Sequence, residues 1–449
     1  MDALRLSTLQ KPLRLGCGNT VGALRAPLVA RRARRQYHSR SPRQLRLPFL
    51  FLLATLESMS DQYLIPTYAR QPVSFERGEG VWLYDQTGKR YLDAISGVGV
   101  CGLGHAHPAV VRALGEQAGR LMHTSNLFRI PQQEALAARL CEISGMSKVF
   151  FGNSGAEANE AAIKLARLHG HRRGVEKPVV LVMDGSFHGR TMATLSATAN
   201  PKVKEGFAPL LEGFRQIAYN DLQAVRDAAG DDVVAILLEP VQGEGGLRAA
   251  GEGYLAALRA LCDERGWLLM FDEVQCGNGR TGTYFACQTD GVRPDVLTTA
   301  KGLGNGFPIG ACLVSGAATD LFGPGSHGST YGGNPMATAT ALAVVNELTG
   351  GIIDQVPAKS ARLRAALAEK LAGLPMVGEI RGRGLMIGIQ MDRNCGELVG
   401  RAREAGLLIN VTAGSVVRLL PPLIINDEEM AFLTQTLASV IHAYASEQD

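Results

Sequence analysis

Short apolar runs alternate with amphipathic segments through the middle of the chain. Runs of four to seven mostly apolar residues are typical of strands buried on both faces, and the segments between them have helical spacing. The runs are KVFF (148–151), PVVLVM (178–183), VVAILL (233–238), WLLMF (267–271), DVLTT (295–299) and IGACLVS (309–315), and the helical segments are 108–121, 131–143, 156–169, 253–265 and 335–348. This alternation predicts an α/β fold with a mostly parallel sheet between two helical layers.

The pattern changes on both sides of this region. GVWLYDQTGKRYLDAISG (80–97) alternates apolar and polar residues around a DQTGK turn, which predicts a β-hairpin. Beyond residue 345, a helical segment at 357–372 precedes the strand-like runs GLMIGIQM and VVRLLPPLII and a last helix from Asp427. We therefore predict a large domain at 110–345 and a smaller α+β domain built from 59–109 and 346–449.

Residues 1–58 lack this periodicity and differ in charge. They hold eleven Lys or Arg against Asp2 and Glu57, a net charge of +9; because the whole chain is +4, the remainder is −5. An Arg-rich, acid-poor segment fits a mitochondrial presequence, and it fits a secretory signal poorly because the apolar LPFLFLLATL lies far from the N-terminus. We favour a third interpretation, in which Met59 is the true start and residues 1–58 are upstream sequence.

Composition narrows the function classes. A mildly acidic body gives no support for a nucleic-acid or anionic-membrane partner, and LPFLFLLATL (47–56) is shorter than the roughly 18 apolar residues that span a bilayer. Eight scattered cysteines without a C-x-x-C pair indicate reduced thiols, and so a cytoplasmic location, or the mitochondrial matrix if 1–58 is a presequence. The H-x-H pairs at 105/107 and 169/171 have no evident third ligand, so we predict no metal site.

Polar residues follow three of the predicted strands, and ligands of open parallel sheets bind beyond the carboxyl ends of strands. After KVFF, the turn Ser154-Gly155-Ala156 runs directly into a helix, where bare amides and the positive helix end favour an anion such as phosphate. An ordinary Ser-capped helix explains the same residues.

Asp272 follows WLLMF, and an apolar strand ending in Asp-Glu is also typical of the Mg²⁺-binding strand of P-loop ATPases. That class needs G-x-x-x-x-G-K-[ST], which the chain lacks. The KGLGNG segment also fails the dinucleotide pattern G-x-G-x-x-G, because Phe307 stands at the third glycine. An ATP-binding or dinucleotide-binding protein is therefore poorly supported.

Lys301 follows DVLTT directly and precedes a series of glycines. A solvated lysine opening a flexible loop is one interpretation; a desolvated amine nucleophile able to form a Schiff base is the other. An anion-binding site, a carboxylate and an amine would thus lie at the strand ends of one sheet. Pyridoxal 5′-phosphate (PLP) needs these three groups, because its phosphate, its ring nitrogen and its aldehyde bind them in that order.

Eight motifs along the chain occur in the same order as in one known enzyme family. They are GLGHAHP, HTSNLF, NSGAEANEAAIKLAR, FHGRT, EPVQGEGG, FDEVQCGNGRTG, TTAKGLGNGFPIGA and HGSTYGGNP. With these motifs the sequence resembles the class III (ω-amino acid) family of PLP-dependent aminotransferases, fold type I, over about residues 60–445. Residues 1–58 have no counterpart in the family core.

The resemblance implies the catalytic and cofactor-binding residues. Lys301 would be the Schiff-base lysine and would afterwards move the substrate's proton, while Asp272 would pair with the pyridinium nitrogen. The other cofactor contacts would be Ser154, Gly155 and Ala156 at the phosphate, Phe187 stacked on the ring, and Glu273, Val274 and Gln275 after Asp272, with Gln275 at the phenolic oxygen. Thr330 would reach the phosphate from the other subunit, which implies an obligate homodimer.

The resemblance also implies two carboxylate-binding arginines. Arg190 would bind the carboxylate of the amino donor, and Arg418 the α-carboxylate of glutamate or 2-oxoglutarate. Glu244 would pair with Arg418 while the donor is bound, and Ser329 would line the substrate path. The expected reaction moves the distal amino group of N2-acetylornithine to 2-oxoglutarate in arginine biosynthesis. Ornithine, succinylornithine and 4-aminobutyrate remain alternative donors, and Cys101, where an asparagine is frequent in the family, leaves the donor preference open.

Overall fold

The computed structural model describes residues 63–447, so the predictions for residues 1–58 lie outside the described part. The chain divides into two units, with the boundary between Gln71 and Pro72. Of the first unit, residues 63–71 are described, and their side chains are exposed. The second unit contains every helix and strand discussed below.

Ten helices of six or more residues and seventeen strands define the architecture of residues 72–447, and a four-residue helical turn covers Ser96–Gly99. The helices are α1 (Pro108–Ala118), α2 (Pro131–Ser144), α3 (Gly155–Arg172), α4 (Met192–Ala197), α5 (Leu222–Asp227), α6 (Tyr254–Arg265), α7 (Pro335–Glu347), α8 (Ile353–Lys370), α9 (Leu398–Glu404) and α10 (Asp427–Ser446). The strands are β1 (Phe75–Glu79), β2 (Trp82–Asp85), β3 (Arg90–Asp93), β4 (Lys148–Gly152), β5 (Val179–Met183), β6 (Phe214–Ile217), β7 (Val233–Leu238), β8 (Val241–Gln242), β9 (Arg248–Ala249), β10 (Leu268–Asp272), β11 (Val296–Thr299), β12 (Gly310–Val314), β13 (Val377–Arg383), β14 (Met386–Met391), β15 (Leu407–Leu408), β16 (Asn410–Thr412) and β17 (Val416–Leu419).

A seven-stranded sheet in the order β4-β12-β11-β10-β7-β5-β6 forms the centre. The pairs β11–β10, β10–β7, β7–β5 and β5–β6 are parallel, and β12 runs antiparallel to both of its neighbours, β11 and β4. The predicted mostly parallel α/β sheet is therefore confirmed. Because all but one strand share a direction, their carboxyl ends meet at one edge, where the sequence places Ser154, Asp272 and Lys301.

Alternate residues of the central strands enter different hydrophobic clusters. Leu237 and Met270 pack in the cluster that contains α3 residues such as Leu165. Ile236 and Leu269 belong to the other cluster, together with Leu258 of α6. Because successive side chains of a strand point to opposite faces, this division shows helices on both faces of the sheet and explains the unbroken apolar strand sequences.

Besides the central sheet, residues 72–447 form two four-stranded sheets, β1-β2-β3-β15 and β13-β14-β17-β16. The predicted hairpin is confirmed as the antiparallel pair β2–β3, with Trp82 opposite Leu92. The first small sheet combines strands from both chain ends, as predicted, because β15 pairs in parallel with β3. Residues 72–447 form one compact unit, so the domain boundaries at 109/110 and 345/346 stay a prediction.

Among residues 63–447, one helical segment, Pro335–Lys370, is long and apolar enough to cross a membrane by length and composition alone. Half of its most apolar window is buried inside the protein. Core helices of soluble proteins pass the same test, so this segment is weak evidence for a membrane span.

Candidate active site

A cavity of about 400 Å³ lies at the edge where the parallel strands end. Ten of the residues predicted for the site line it: Ser154, Gly155, Ala156, Phe187, Arg190, Glu244, Asp272, Val274, Gln275 and Lys301. These residues are spread over 148 positions of the chain, from 154 to 301. The fold therefore brings into one cavity what the sequence indicated only as separate strand ends.

The N-terminus of α3 forms one wall of the cavity. Ser154 is the N-cap residue, and its hydroxyl accepts a hydrogen bond from Glu157 N at 3.2 Å. Ser154 therefore caps the helix in addition to lining the cavity. A Cβ at Gly155 would lie 2.7 Å from Val274 Cγ1, so this position has room for no side chain. The amides that follow Ser154 begin an 18-residue helix, and such a terminus favours a bound anion.

Asp272 is held by three donors at the end of β10. Its Oδ2 accepts hydrogen bonds from Asn159 Nδ2 and from His188 Nδ1, each at 2.7 Å, and its Oδ1 accepts from Val274 N at 3.0 Å. The carboxylate is 3% exposed, and the buried His188 Nε2 has no hydrogen-bond partner among residues 63–447. A buried carboxylate fixed in this way is ready to bind one further cationic or N–H group.

Lys301 lies at the end of β11, in a turn with φ of +45°. Asn278 Nδ2 donates to Thr299 Oγ1 at 2.9 Å and to Ala300 O at 3.0 Å, which fixes the chain just before the lysine. Burial lowers the pKa of the Lys301 amine, although Glu244 opposes this shift. The Lys301 Nζ atom has no hydrogen-bond or ion-pair partner among residues 63–447, so the amine is available as a nucleophile.

A buried arginine, Arg418, and a half-buried glutamate, Glu244, form an ion pair next to the cavity. Arg418 Nη1 donates to Glu244 Oε1 at 2.5 Å, and Nη2 donates to Asn410 Oδ1 at 2.7 Å. Arg418 is 2% exposed, whereas Glu244 lines the cavity. Burial would raise the pKa of Glu244, but the Arg418 guanidinium outweighs it, so the pKa lies below its usual value.

Arg190 lies on the loop between β5 and α4 and is exposed. Its guanidinium carbon is 5.6 Å from the centre of the Phe187 ring, a cation–π distance. Within residues 63–447 it has no hydrogen-bond or ion-pair partner. The site therefore contains one arginine that is already paired and one that is free.

Four predicted residues do not line this cavity: Arg418, Glu273, Ser329 and Thr330. The fully buried Glu273 carboxylate accepts hydrogen bonds from the backbone N–H groups of Ala286 and Cys287, and burial raises its pKa to about 7. The Glu273 side chain thus holds the loop at Ala286 and Cys287 in place and does not face the cavity. Ser329 Oγ accepts from Asn153 Nδ2 at 3.1 Å, and Thr330 is exposed.

Eleven of the residues that line the cavity were not predicted from the sequence, and three of them, Asn159, His188 and Glu239, make hydrogen bonds that shape the site. Asn159 and His188 orient Asp272, a contact between α3, the loop after β5 and β10 that no local pattern indicates. Glu239 comes directly after VVAILL, so the rule that found Asp272 and Lys301 could have found it as well.

One histidine of each H-x-H pair contacts a group elsewhere in the fold. His105 Nε2 lies 2.9 Å from Asp93 Oδ2, and His169 Nε2 lies 2.8 Å from Gly266 O. No group of three potential ligands occurs within residues 63–447.

The residues of the cavity fit PLP. The α3 terminus with its glycine suits the phosphate, the oriented Asp272 carboxylate suits a protonated ring nitrogen, and the unpartnered Lys301 amine suits the aldehyde. A volume of about 400 Å³ is within the usual range for a cofactor site.

Comparisons with known proteins agree with this chemistry. Residues 65–441 match the family Aminotransferase class-III. Acetylornithine aminotransferase 1 of Bordetella pertussis is 55% identical over 385 residues, which cover 85% of this chain and 98% of the relative. N-acetylornithine aminotransferase from Stenotrophomonas maltophilia K279a superposes with a TM-score of 0.76 at 38% identity, covering 87% of this chain and 99% of that one.

An ornithine aminotransferase from Toxoplasma gondii, with partial occupancy of PLP at its active site, superposes with a TM-score of 0.84 at 34% identity, covering 88% of this chain and 95% of that one. The fold, the cavity chemistry and the sequence match over most of the chain lead to one conclusion: the chain belongs to the class III aminotransferases and is a PLP-dependent transaminase of fold type I.

Proposed function

We propose that this enzyme transfers the distal amino group of N2-acetylornithine to 2-oxoglutarate, giving N-acetylglutamate 5-semialdehyde and glutamate. The ion pair between the buried Arg418 and the half-buried Glu244 beside the cavity carries this proposal. A transaminase of this type must accept an amino donor and a five-carbon dicarboxylate in turn. One arginine masked by a glutamate and a second, unpaired arginine supply two carboxylate sites that are used differently.

In the donor half-reaction, Arg190 would bind the α-carboxylate of the donor while Glu244 keeps Arg418 occupied. With glutamate or 2-oxoglutarate, Glu244 would swing away and Arg418 would bind the α-carboxylate. The two charges of the ion pair are then never both left buried without a partner, which would be costly.

When bound, PLP supplies an electron sink for the carbanion that forms at the substrate carbon. Lys301 Nζ would take the proton from that carbon, and its lowered pKa favours the neutral amine that this step needs. Asp272 would keep a proton on the ring nitrogen, and the Asn159 and His188 hydrogen bonds would hold its carboxylate in place. Gln275, whose Oε1 is 3.4 Å from Arg418 Nη1, would contact the phenolic oxygen.

We further infer a homodimer in which Thr330 serves the partner's site. Asn126 Nδ2 donates to Ser329 O at 3.1 Å and to Gly332 O at 2.9 Å, which joins two loops. These loops expose Leu127, Phe128 and Tyr331 to 87%, 69% and 62%. Such apolar exposure favours a protein interface. The proposal extends to a cytoplasmic location and a role in arginine biosynthesis, which are consistent with the similarity to acetylornithine aminotransferase 1 of B. pertussis.

Steady-state kinetics with four donors test the substrate. We expect the highest kcat/KM for N2-acetylornithine over ornithine, succinylornithine and 4-aminobutyrate, with the Lys301→Ala variant inactive on all of them. A preference for ornithine of about tenfold or more, equivalent to 1.4 kcal/mol, would mean that the named donor is wrong. The structural similarity to the T. gondii ornithine aminotransferase makes ornithine the main competitor.

A further inference from the structure

Glu239 is a buried carboxyl group that the proposed mechanism does not use. It follows β7 directly, is 6% exposed and lines the cavity. Its Oε1 accepts a hydrogen bond from Phe187 N at 2.9 Å, and its Oε2 accepts one from Gly243 N at 3.1 Å. Within residues 63–447, no Lys, Arg or His forms an ion pair with it.

The two N–H groups belong to two different loops. The first loop carries the Phe187 ring, His188 against Asp272, and Arg190. The second carries Glu244, the partner of Arg418. A Cβ at Gly243 would lie 2.1 Å from Gln275 Oε1, so the second loop is also confined from its other side. One carboxyl group thus joins the loop of the free arginine to the loop that masks the paired one.

This position is costly for a carboxyl group. Burial, and then the charge of Asp272, raise the pKa of Glu239 to about 7, because both disfavour the ionised form. A glutamate carboxylate nevertheless suits this position, because it has two acceptor oxygens for the two N–H groups and no donor hydrogen. A glutamine would present an NH₂ group to one of the two N–H groups. The geometry therefore calls for an acid at this position.

We propose that Glu239 is a positioning residue that fixes the loop of Phe187 and Arg190 relative to the loop of Gly243 and Glu244. Through these loops it sets how the donor and 2-oxoglutarate share one cavity. The part of this inference that names the two substrates rests on the proposed function. The link between the two loops does not.

Hydrogen–deuterium exchange of the holoenzyme tests the link. In the Glu239→Gln variant, we expect faster backbone exchange in a peptide that contains Phe187 or in one that contains Gly243. The glutamine side chain has one acceptor oxygen, so it can accept a hydrogen bond from only one of these two N–H groups. The matched control is Asp295→Asn. Asp295 accepts hydrogen bonds from Leu269 N and Arg259 near the starts of β10 and β11, away from both loops, so this variant should change exchange near Leu269 and leave both loops as they are.

Kinetics of the same variants test the consequence. Glu239→Gln should lower kcat/KM about tenfold or more for both the amino donor and 2-oxoglutarate, mainly through KM, while Asp295→Asn loses thermal stability and keeps both values. Glu239→Asp, which keeps the acid but is too short for both N–H groups, serves if the glutamine variant does not fold. Unchanged exchange in both loops, or kinetics equal to those of Asp295→Asn, would overturn the inference. If wild-type enzyme does not use N2-acetylornithine, the proposed function fails, and exchange still decides the role of Glu239.

Discussion

At the residue scale, the site depends on one carboxylate held in place by three hydrogen-bond donors. Asn159, His188 and Val274 N all donate to Asp272, which fixes the orientation of its carboxylate. Because the group is 3% exposed, water screens that charge little. One substitution, Asp272→Asn, removes the charge of this side chain and keeps its shape, so it tests the effect of the charge alone.

Replacing Asp272 with Asn should lower kcat about a hundredfold or more, because the neutral amide cannot stabilise a protonated ring nitrogen. Stopped-flow measurement of the first half-reaction, with circular dichroism to verify folding, checks this. Asp295→Asn is the control that removes a carboxylate of the same sheet outside the cavity. A variant with more than a tenth of wild-type kcat would contradict the assigned role.

The sequence revealed Ser154, Asp272 and Lys301 because each follows a predicted strand. Glu239 follows a strand too, and only its contacts show its use, since a carboxyl at a strand end does not say which loops will surround it. The Asn159–Asp272 and His188–Asp272 contacts join segments 113 and 84 residues apart. Such contacts exist only after folding, so no local pattern predicts them.

At the element scale, the differences from the predicted pattern have local causes. β6 (FRQI) has too few apolar residues to be recognised, since it is an edge strand paired only with β5. The antiparallel direction of β12 was not predicted, because an apolar run does not encode direction. α8 begins at Ile353 although a helix was expected from Pro357; the π-helical turn Leu348–Ile352 leads into it from α7, so the proline lies inside the helix.

One prediction at this scale concerns His105, which joins the turn before α1 to β3. Burial lowers its pKa, but hydrogen bonds with Asp93 and Cys101 outweigh this and raise it to about 9. A pKa raised on folding stabilises the protein fully below the unfolded value of about 6.5, and this contribution is lost as pH rises towards 9. We expect it to reach up to about 3 kcal/mol.

Urea unfolding of wild type and His105→Gln at pH 6 and at pH 9.5 measures this contribution. The difference in free energy of unfolding between the two proteins should be larger at pH 6 and should narrow at pH 9.5. His171→Gln, at an exposed position of α3, controls for loss of a histidine as such. An equal difference at both pH values would show that His105 does not change its charge in this range.

At the scale of the whole molecule, the proposed shared site can be tested by mixing subunits. Lys301→Ala and Thr330→Ala should each be impaired, but a hybrid dimer has one site with wild-type residues at both positions. After random reassociation, half of the dimers are hybrids, so about a quarter of all sites should regain activity. Mixing Lys301→Ala with Asp272→Asn is the control, because these residues belong to the same chain's cavity and hybrids restore neither site. Hybrids of the first pair that stay inactive would place Thr330 outside the partner's site.

The parallel pairing of β3 with β15 has a consequence for biosynthesis. Lys89 Nζ, just before β3, donates to Glu404 O across 315 residues of sequence, and Leu92 pairs with Leu407. During translation the N-terminal hairpin emerges early and must wait with an open edge until nearly the whole chain has left the ribosome. Unpaired strand edges promote aggregation, so nascent chains of this enzyme should depend on chaperones, and chains truncated before residue 407 should accumulate in inclusion bodies.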